Sequence, residues 1–255
     1  MEKIYHNDSW LTVRLTPWDE KVMGIGTCDV IEFHSSCFND TYSLLRKLDG
    51  WCLRNEISFI QIRVNGNDKI SKKALTETGY YFAETSMKLS LMKPANKNIS
   101  SLDRFSLELV KACEGDLQGF KDIARNDFHH GRLIEDCYVE ECKAKNRNEN
   151  WIDDLAKAPF SLFKGVFRGQ NVGFHAEYLN EKENTVSWIL TGVSSDYSMF
   201  ALPLWTAAFK RAQYLNVDKI TTMVSSSNTK VLNLYNKFSF NIDECLLGYH
   251  KKIAL

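Results

Sequence analysis

The chain has 255 residues, 44% hydrophobic and 25% charged, with 32 Lys plus Arg against 32 Asp plus Glu and a net charge of zero. That balance, with no basic run able to neutralise successive phosphates, argues against nucleic acid as a partner, and the apolar content argues against disorder. Nothing approaches the roughly 18 consecutive apolar residues of a membrane span, and the opening MEKIYHNDSW has no apolar signal core, so a cytoplasmic protein is expected.

The seven cysteines, Cys28, Cys37, Cys52, Cys113, Cys137, Cys142 and Cys245, are odd in number and form no framework of short spacings, which fits a reduced compartment. His129, His130, Cys137 and Cys142 are neighbours in sequence, but zinc sites use tighter pairs of ligands, so no metal is expected.

In chain order, apolar residues three and four apart predict a helix over 42–55, followed by strand, loop, helix and strand over 59–89. The segment MKPANKNISSLDR, Met92 to Arg104, gathers Pro, Asn and Ser between apolar stretches and reads as a linker. It divides the chain into residues 1–93, a linker over 94–103, and residues 104–255. Helices are expected over 106–126 and 146–157. Three apolar runs then follow, at 160–168, 172–179 and 185–193. The separators GQN and NEKEN are turns of hairpin type, so these runs should form an antiparallel meander. A further helix is expected over 204–215.

Shifted by 160 residues, FIQIRVNGNDKISKKALTETGYYFAETSMKL (59–89) lies without a gap over KITTMVSSSNTKVLNLYNKFSFNIDECLLGY (219–249). Ile60 meets Ile220, Val64 meets Val224, Asp68 meets Asn228, Tyr80 meets Phe240 and Glu84 meets Glu244. Identities are few, yet the order of elements agrees, which argues for an internal repeat and an α/β fold with a mixed sheet.

The order of elements in the second part resembles the Gcn5-related N-acetyltransferase (GNAT) superfamily. NTKVLNLYNKFSF looks like that superfamily's Asn loop and Tyr-x-x-x-Gly-Phe helix end, with Ser239 where Gly is usual. LTPWDEKVMGIGTCDV (15–30) and DFHHGRLIEDCYV (127–139) resemble the Trp-Asp opening and the His-x-Arg-x-x-x-Asp loop of the TDP-fucosamine acetyltransferase branch. Those enzymes acetylate the 4-amino group of a nucleotide-linked dideoxy sugar and carry a degenerate first domain of the same type. The resemblance therefore implies a GNAT-type mixed sheet flanked by helices, preceded by a smaller degenerate GNAT-like domain. It implies transfer of an acetyl group from acetyl-CoA, as co-substrate, to a primary amine of a small molecule. The sequence leaves a homodimer open. A binding domain without catalysis, or acyl transfer from a carrier protein, are the alternatives.

Within that resemblance Tyr235 is the candidate acid for the departing thiolate. A thiol and a phenol have pKa values of roughly 8.5 and 10, so proton transfer between them is close to balanced. The competing reading is a Tyr that merely packs. Residue 75, its counterpart in the repeat, is Leu, so the first part lacks the phenol. The pantetheine arm is expected along the strand holding Thr191 and Val193, and the phosphates at SMFALP, Ser198, Met199, Phe200, Ala201, Leu202 and Pro203. There Ala201 and Pro203 replace the usual glycines, and Pro provides no N–H.

Asn228 either touches pantetheine or caps the following helix, since Asn is a good capping residue. His175 and Glu177, two apart on a strand, share one face and are either a proton path from the amine or a satisfied polar pair. His130 and Arg132 suit an acceptor's diphosphate, or belong to a plain surface loop. Trp18 and Asp19 are expected to be structural.

Overall fold

The computed structural model describes residues 1–103, 105 and 107–254; Arg104, at the end of the expected linker, and Ser106, at the start of an expected helix, lie outside them. The first stretch of chain forms β1 (Glu2–His6), β2 (Ser9–Leu15), α1 (Pro17–Met23), β3 (Gly26–His34), α2 (Phe38–Arg54), β4 (Ile57–Asn65), α3 (Lys69–Glu77) and β5 (Tyr81–Met92). The remainder forms β6 (Glu108–Lys111), α4 (Leu117–Asn126), α5 (Glu141–Leu155), β7 (Ser161–Phe167), β8 (Gln170–Asn180), β9 (Thr185–Val193), α6 (Ala201–Tyr214), β10 (Lys219–Ser225), α7 (Thr229–Lys237) and β11 (Asn241–Lys252). The helix expected from residue 106 is thus corrected. Its first part is strand β6, laid antiparallel on β7, and the helix begins only at Leu117.

The chain divides into two compact units. The first holds residues 1–86, the segment Gly131–Ala144 and the chain from Glu244 onward; the second holds Met87–His130 and Lys145–Asp243. In the first unit the sheet runs β1-β2-β3-β4-β11-β5, with β3 and β4 parallel and their outer neighbours antiparallel. On one face, Leu44, Leu45, Leu48, Trp51 and Cys52 of α2, spaced three and four apart, pack with Ile60, Ile62 and Val64. In the second unit the sheet runs β5-β10-β9-β8-β7-β6. Leu204, Trp205, Ala208, Phe209 and Ala212 of α6 belong to the cluster on one face, and Phe120, Ile123 and Ala124 of α4 belong to the cluster that includes Phe174 and Ala176.

The repeat is present in three dimensions as well. Helices α3 and α7, and strands β5 and β11, start and end 160 residues apart. Asp68 and Asn228 are both N-caps, accepting from Ser71 N and Val231 N. Beyond the helix ends, Gly79 and Ser239 both take the left-handed conformation, φ 85° and 61°. Glycine adopts that conformation freely, whereas serine does so at a cost. Replacing Ser239 by Gly should therefore stabilise the protein by about 0.5–1 kcal/mol, net of the extra freedom gained by the unfolded chain. Urea unfolding is the measurement.

Candidate active site

Within the second unit, β9 lies between antiparallel β8 and parallel β10. On the β8 side Ala176 faces Leu190 and Glu177 faces Trp188, so Ile189 is an extra residue, a bulge that bends β9. On the β10 side the ladder covers Lys219↔Thr185, Ile220↔Val186 and Thr221↔Ser187. Among the described residues, Trp188–Val193 and Thr222–Ser225 continue without pairing to one another. The two parallel strands therefore part at Trp188 and Thr222. Backbone groups along that opening are available to an extended ligand, as a sheet edge is to a peptide.

The parting point is also where Tyr235 ends. The Thr222 hydroxyl donates to the Trp188 carbonyl at 3.0 Å, and the Tyr235 hydroxyl lies 3.4 Å from Thr222 Oγ1. The phenol ring packs among Phe240, Trp188 and Trp205, with centroids 4.9, 6.1 and 6.2 Å away, and the residue is only 4% exposed. Burial pushes its pKa above the ordinary tyrosine value, tempered by the Thr222 hydroxyl and the Trp205 indole beside it, so the phenol keeps its proton. Trp188, 2% exposed, has an indole N–H with no partner among the described residues. In the first unit the positions matching Thr222 and Tyr235 are Ile62 and Leu75, both in its apolar core.

The other side of the opening is bordered by the residues after α4. Phe128 packs so close to Gly192 of β9 that a Cβ there would lie 2.7 Å from the ring. Asp127 accepts the Ser195 N–H at 3.3 Å, and His130 Nδ1 meets Ser227 Oγ, in the turn after β10, at 2.9 Å. Residues 127–130 thus run from the end of β9 to the end of β10, and His130 is exposed there.

At the expected phosphate loop, Ser195–Phe200 form a 3-10 turn leading into α6. The Ala201 N–H is engaged by the Ser198 carbonyl, and Pro203 in the first turn has none, so this helix end offers fewer free donors than a glycine turn. Phe200 is buried against Phe167, 4.7 Å between centroids, while Met199 is 69% exposed. Leu202 is half-buried at the second helical position. On β9, the Thr191 hydroxyl is bonded to His175 Nδ1 at 2.8 Å, and Val193 pairs with Gly173. Asn228 accepts the Val231 N–H at 3.2 Å and so works as a cap.

His175 and Glu177 share a face, as their spacing requires, but both are buried. His175 Nε2 lies 3.3 Å from Glu177 Oε2, and Arg211 of α6 donates to Glu177 Oε1 at 2.7 Å. Burial alone would raise the Glu177 pKa, yet His175 and Arg211 hold it below the usual carboxylate value. The geometry is that of a satisfied polar pair.

Arg132 lies in the first unit. Its guanidinium donates to Asp19 at 2.8 Å, and Asp19 also accepts from Gln61 at 3.0 Å. Asp19, on α1, is wholly buried, which gives it a structural role. The two short motifs that suggested the narrower resemblance, 113 residues apart, therefore meet in this ion pair. Sequence reasoning missed Trp188, Thr222 and Trp205, which sit in ordinary apolar or alternating patterns and carry no local signal.

No known family's sequence profile matches the chain, and no curated protein matches it. Solved structures match over nearly its whole length. A functionally unknown conserved protein from Staphylococcus epidermidis superposes with a TM-score of 0.67 at 9% identity, over 92% of this chain and 89% of that one. A GCN5-related N-acetyltransferase from Sphaerobacter thermophilus gives 0.66 at 10% identity, over 97% and 77%. A tandem GNAT protein from the clavulanic acid biosynthesis pathway gives 0.63 at 9%, over 97% and 79%. The fold is that of the GNAT proteins. Within that fold the tandem neighbour agrees with the two copies of strand-helix-strand-helix-strand found in this chain. No helix among the described residues is long and apolar enough to cross a membrane.

Proposed function

We propose that the protein is an N-acyltransferase that moves an acetyl group from acetyl-CoA to a primary amine of a small molecule, with the chemistry in the second unit. One observation carries this reading: β9 and β10 part at the point where a protonated phenol, Tyr235, meets Thr222. The thioester arm enters between the strands and pairs with the free edge of β9 beyond Ser187. The amine attacks the thioester carbonyl, and Tyr235 gives its proton to the departing thiolate. The unpartnered Trp188 N–H is a donor available to a carbonyl of the arm. His130, exposed between the strand ends, takes the proton released by the amine. This placement gives it a different role from the diphosphate contact expected from sequence.

The acceptor we favour is an amino sugar, including a nucleotide-linked 4-amino-4,6-dideoxy sugar. Its support is the pair of short motifs at Trp18-Asp19 and His130 to Asp136. Arg132 is held by Asp19, so a diphosphate would have to compete with a buried carboxylate for it.

A second reading, a GNAT-like binding domain without catalysis, draws on the α6 end, where the Ala201 N–H is engaged and Pro203 has none. Calorimetric titration with acetyl-CoA separates the two. Binding is expected in the range of about 10 µM to 1 mM, weaker than a full glycine turn would give. No heat at millimolar acetyl-CoA would move the assignment to the second reading.

A further inference from the structure

In the first unit, the sheet face opposite the α2 core carries a closely packed polar cluster that opens to the surface as a shallow depression. Gln61 and Arg63 of β4, His250 of β11, Glu84 of β5, Asp29 of β3 and Arg132 line it. These charges neutralise one another pairwise. Arg63 Nε donates to Glu84 at 3.0 Å, Arg14 to Asp29 at 3.1 Å and Arg132 to Asp19 at 2.8 Å. His250 Nδ1 is 2.6 Å from Asp136, which also accepts from the Tyr81 hydroxyl at 2.9 Å.

Two features of the lining and its charge remain after this pairing; Arg14 Nε, also without a partner among the described residues, belongs to a residue outside the lining. Gln61, 2% exposed, turns its Nε2 to Asp19 and leaves Oε1 with no partner among the described residues. A buried acceptor without a donor is destabilising, so its presence in this lining points to a missing donor. The second feature is charge. Among the described residues paired here, the carboxylates Asp19, Asp29, Glu84 and Asp136 outnumber the guanidiniums Arg14, Arg63 and Arg132 by one, and burial lowers the His250 pKa so that the ring is neutral. With Nδ1 donating to Asp136, the other ring nitrogen, Nε2, is an acceptor.

The geometry points to a second ligand site on this face, one that takes a primary ammonium group. Its N–H donors meet Gln61 Oε1 and His250 Nε2, and its charge balances the excess carboxylate. An anion is disfavoured, because among the described residues each of these guanidiniums already has a carboxylate partner. The groups are packed too closely to admit a free water, so entry moves Arg132, whose side chain is 21% exposed.

The test is NMR of the full chain with ¹³C-labelled histidine, titrated with ethanolammonium chloride and, separately, with tetramethylammonium chloride at constant ionic strength. His250→Gln assigns the His250 signal among the six histidines. We expect that signal to shift saturably with ethanolammonium, with a dissociation constant of about 1–50 mM, and not with tetramethylammonium, which has no N–H. Gln61→Met should weaken the binding roughly tenfold. Tyr235→Phe should leave the titration unchanged, which keeps this site distinct from the proposed catalytic one. Equal responses to the two cations, or the absence of a response, would overturn the inference whether or not the Gln61 variant folds; so would an unchanged constant in that variant.

Discussion

Replacing Tyr235 by Phe is expected to lower kcat about a hundredfold and to leave acetyl-CoA affinity within about twofold. Phe fills the same space among Trp188, Trp205 and Phe240, so the packing survives. What disappears is the O–H beside Thr222 Oγ1. That bond is long, so its loss should cost stability no more than about 1 kcal/mol. The proton it carries matters more. Burial raises the Tyr235 pKa, which keeps the phenol protonated while the substrate waits, and a thiolate of pKa roughly 8.5 formed beside it is stabilised by that proton as it leaves. Stopped assays of CoA release at saturating amine measure kcat, and calorimetry measures affinity. A variant with full turnover would mean that the hydroxyl only packs. Leu75→Tyr serves as a control, since a phenol placed in the first unit should create no activity where the parallel ladder extends one pair further, to Val30↔Ile62.

Much of this arrangement was legible in the sequence, for reasons that differ between its parts. The 160-residue repeat was readable because α3 and α7 use the same device, a capping Asp68 or Asn228 followed by an amphipathic turn, and capping is local chemistry. The meander β7, β8 and β9 was readable because its turns are short and polar. The strand at Glu108–Lys111 was not, since Glu108 and Lys111 merely flank the pair Leu109-Val110 on an edge strand, and four residues carry too little pattern to separate strand from helix. Burial of His175 and Glu177 was equally hidden. Two polar residues on a strand look solvent-facing until Arg211, 34 positions away, covers them. The same holds for Arg132, whose partner Asp19 is 113 residues distant. Ion pairs between remote segments leave no periodic trace, so a charged residue's partner is the part of a site that sequence conveys least.

The remote pairing in the first unit should also contribute measurably to its stability. Asp136, in the segment Gly131–Ala144, accepts from His250 Nδ1, from the Tyr81 hydroxyl and from the Tyr138 N–H, the last at 2.8 Å. Asp136→Ala removes the common acceptor and leaves a buried imidazole and a phenol without it, at an expected cost of about 3 kcal/mol. Asp136→Asn, which keeps an oxygen but not the charge, should cost roughly half as much. The same groups set a pH dependence. Burial lowers the His250 pKa from its ordinary value of 6.5, so the ring is neutral when folded, and the unfolded chain binds the extra proton first. Its contribution is therefore complete above about pH 6.5 and is lost as pH falls toward the folded value. Burial alone would raise the Asp136 pKa, but the bonds from His250, Tyr138 and Tyr81 bring it below 3.8, so a second loss begins as pH falls past that value. Urea midpoints measured from pH 8 to pH 5 should decline in the wild type below about pH 6.5, and His250→Gln should flatten that decline. A wild-type midpoint that stays level to pH 5 would show that His250 is not the group that destabilises the folded chain in acid.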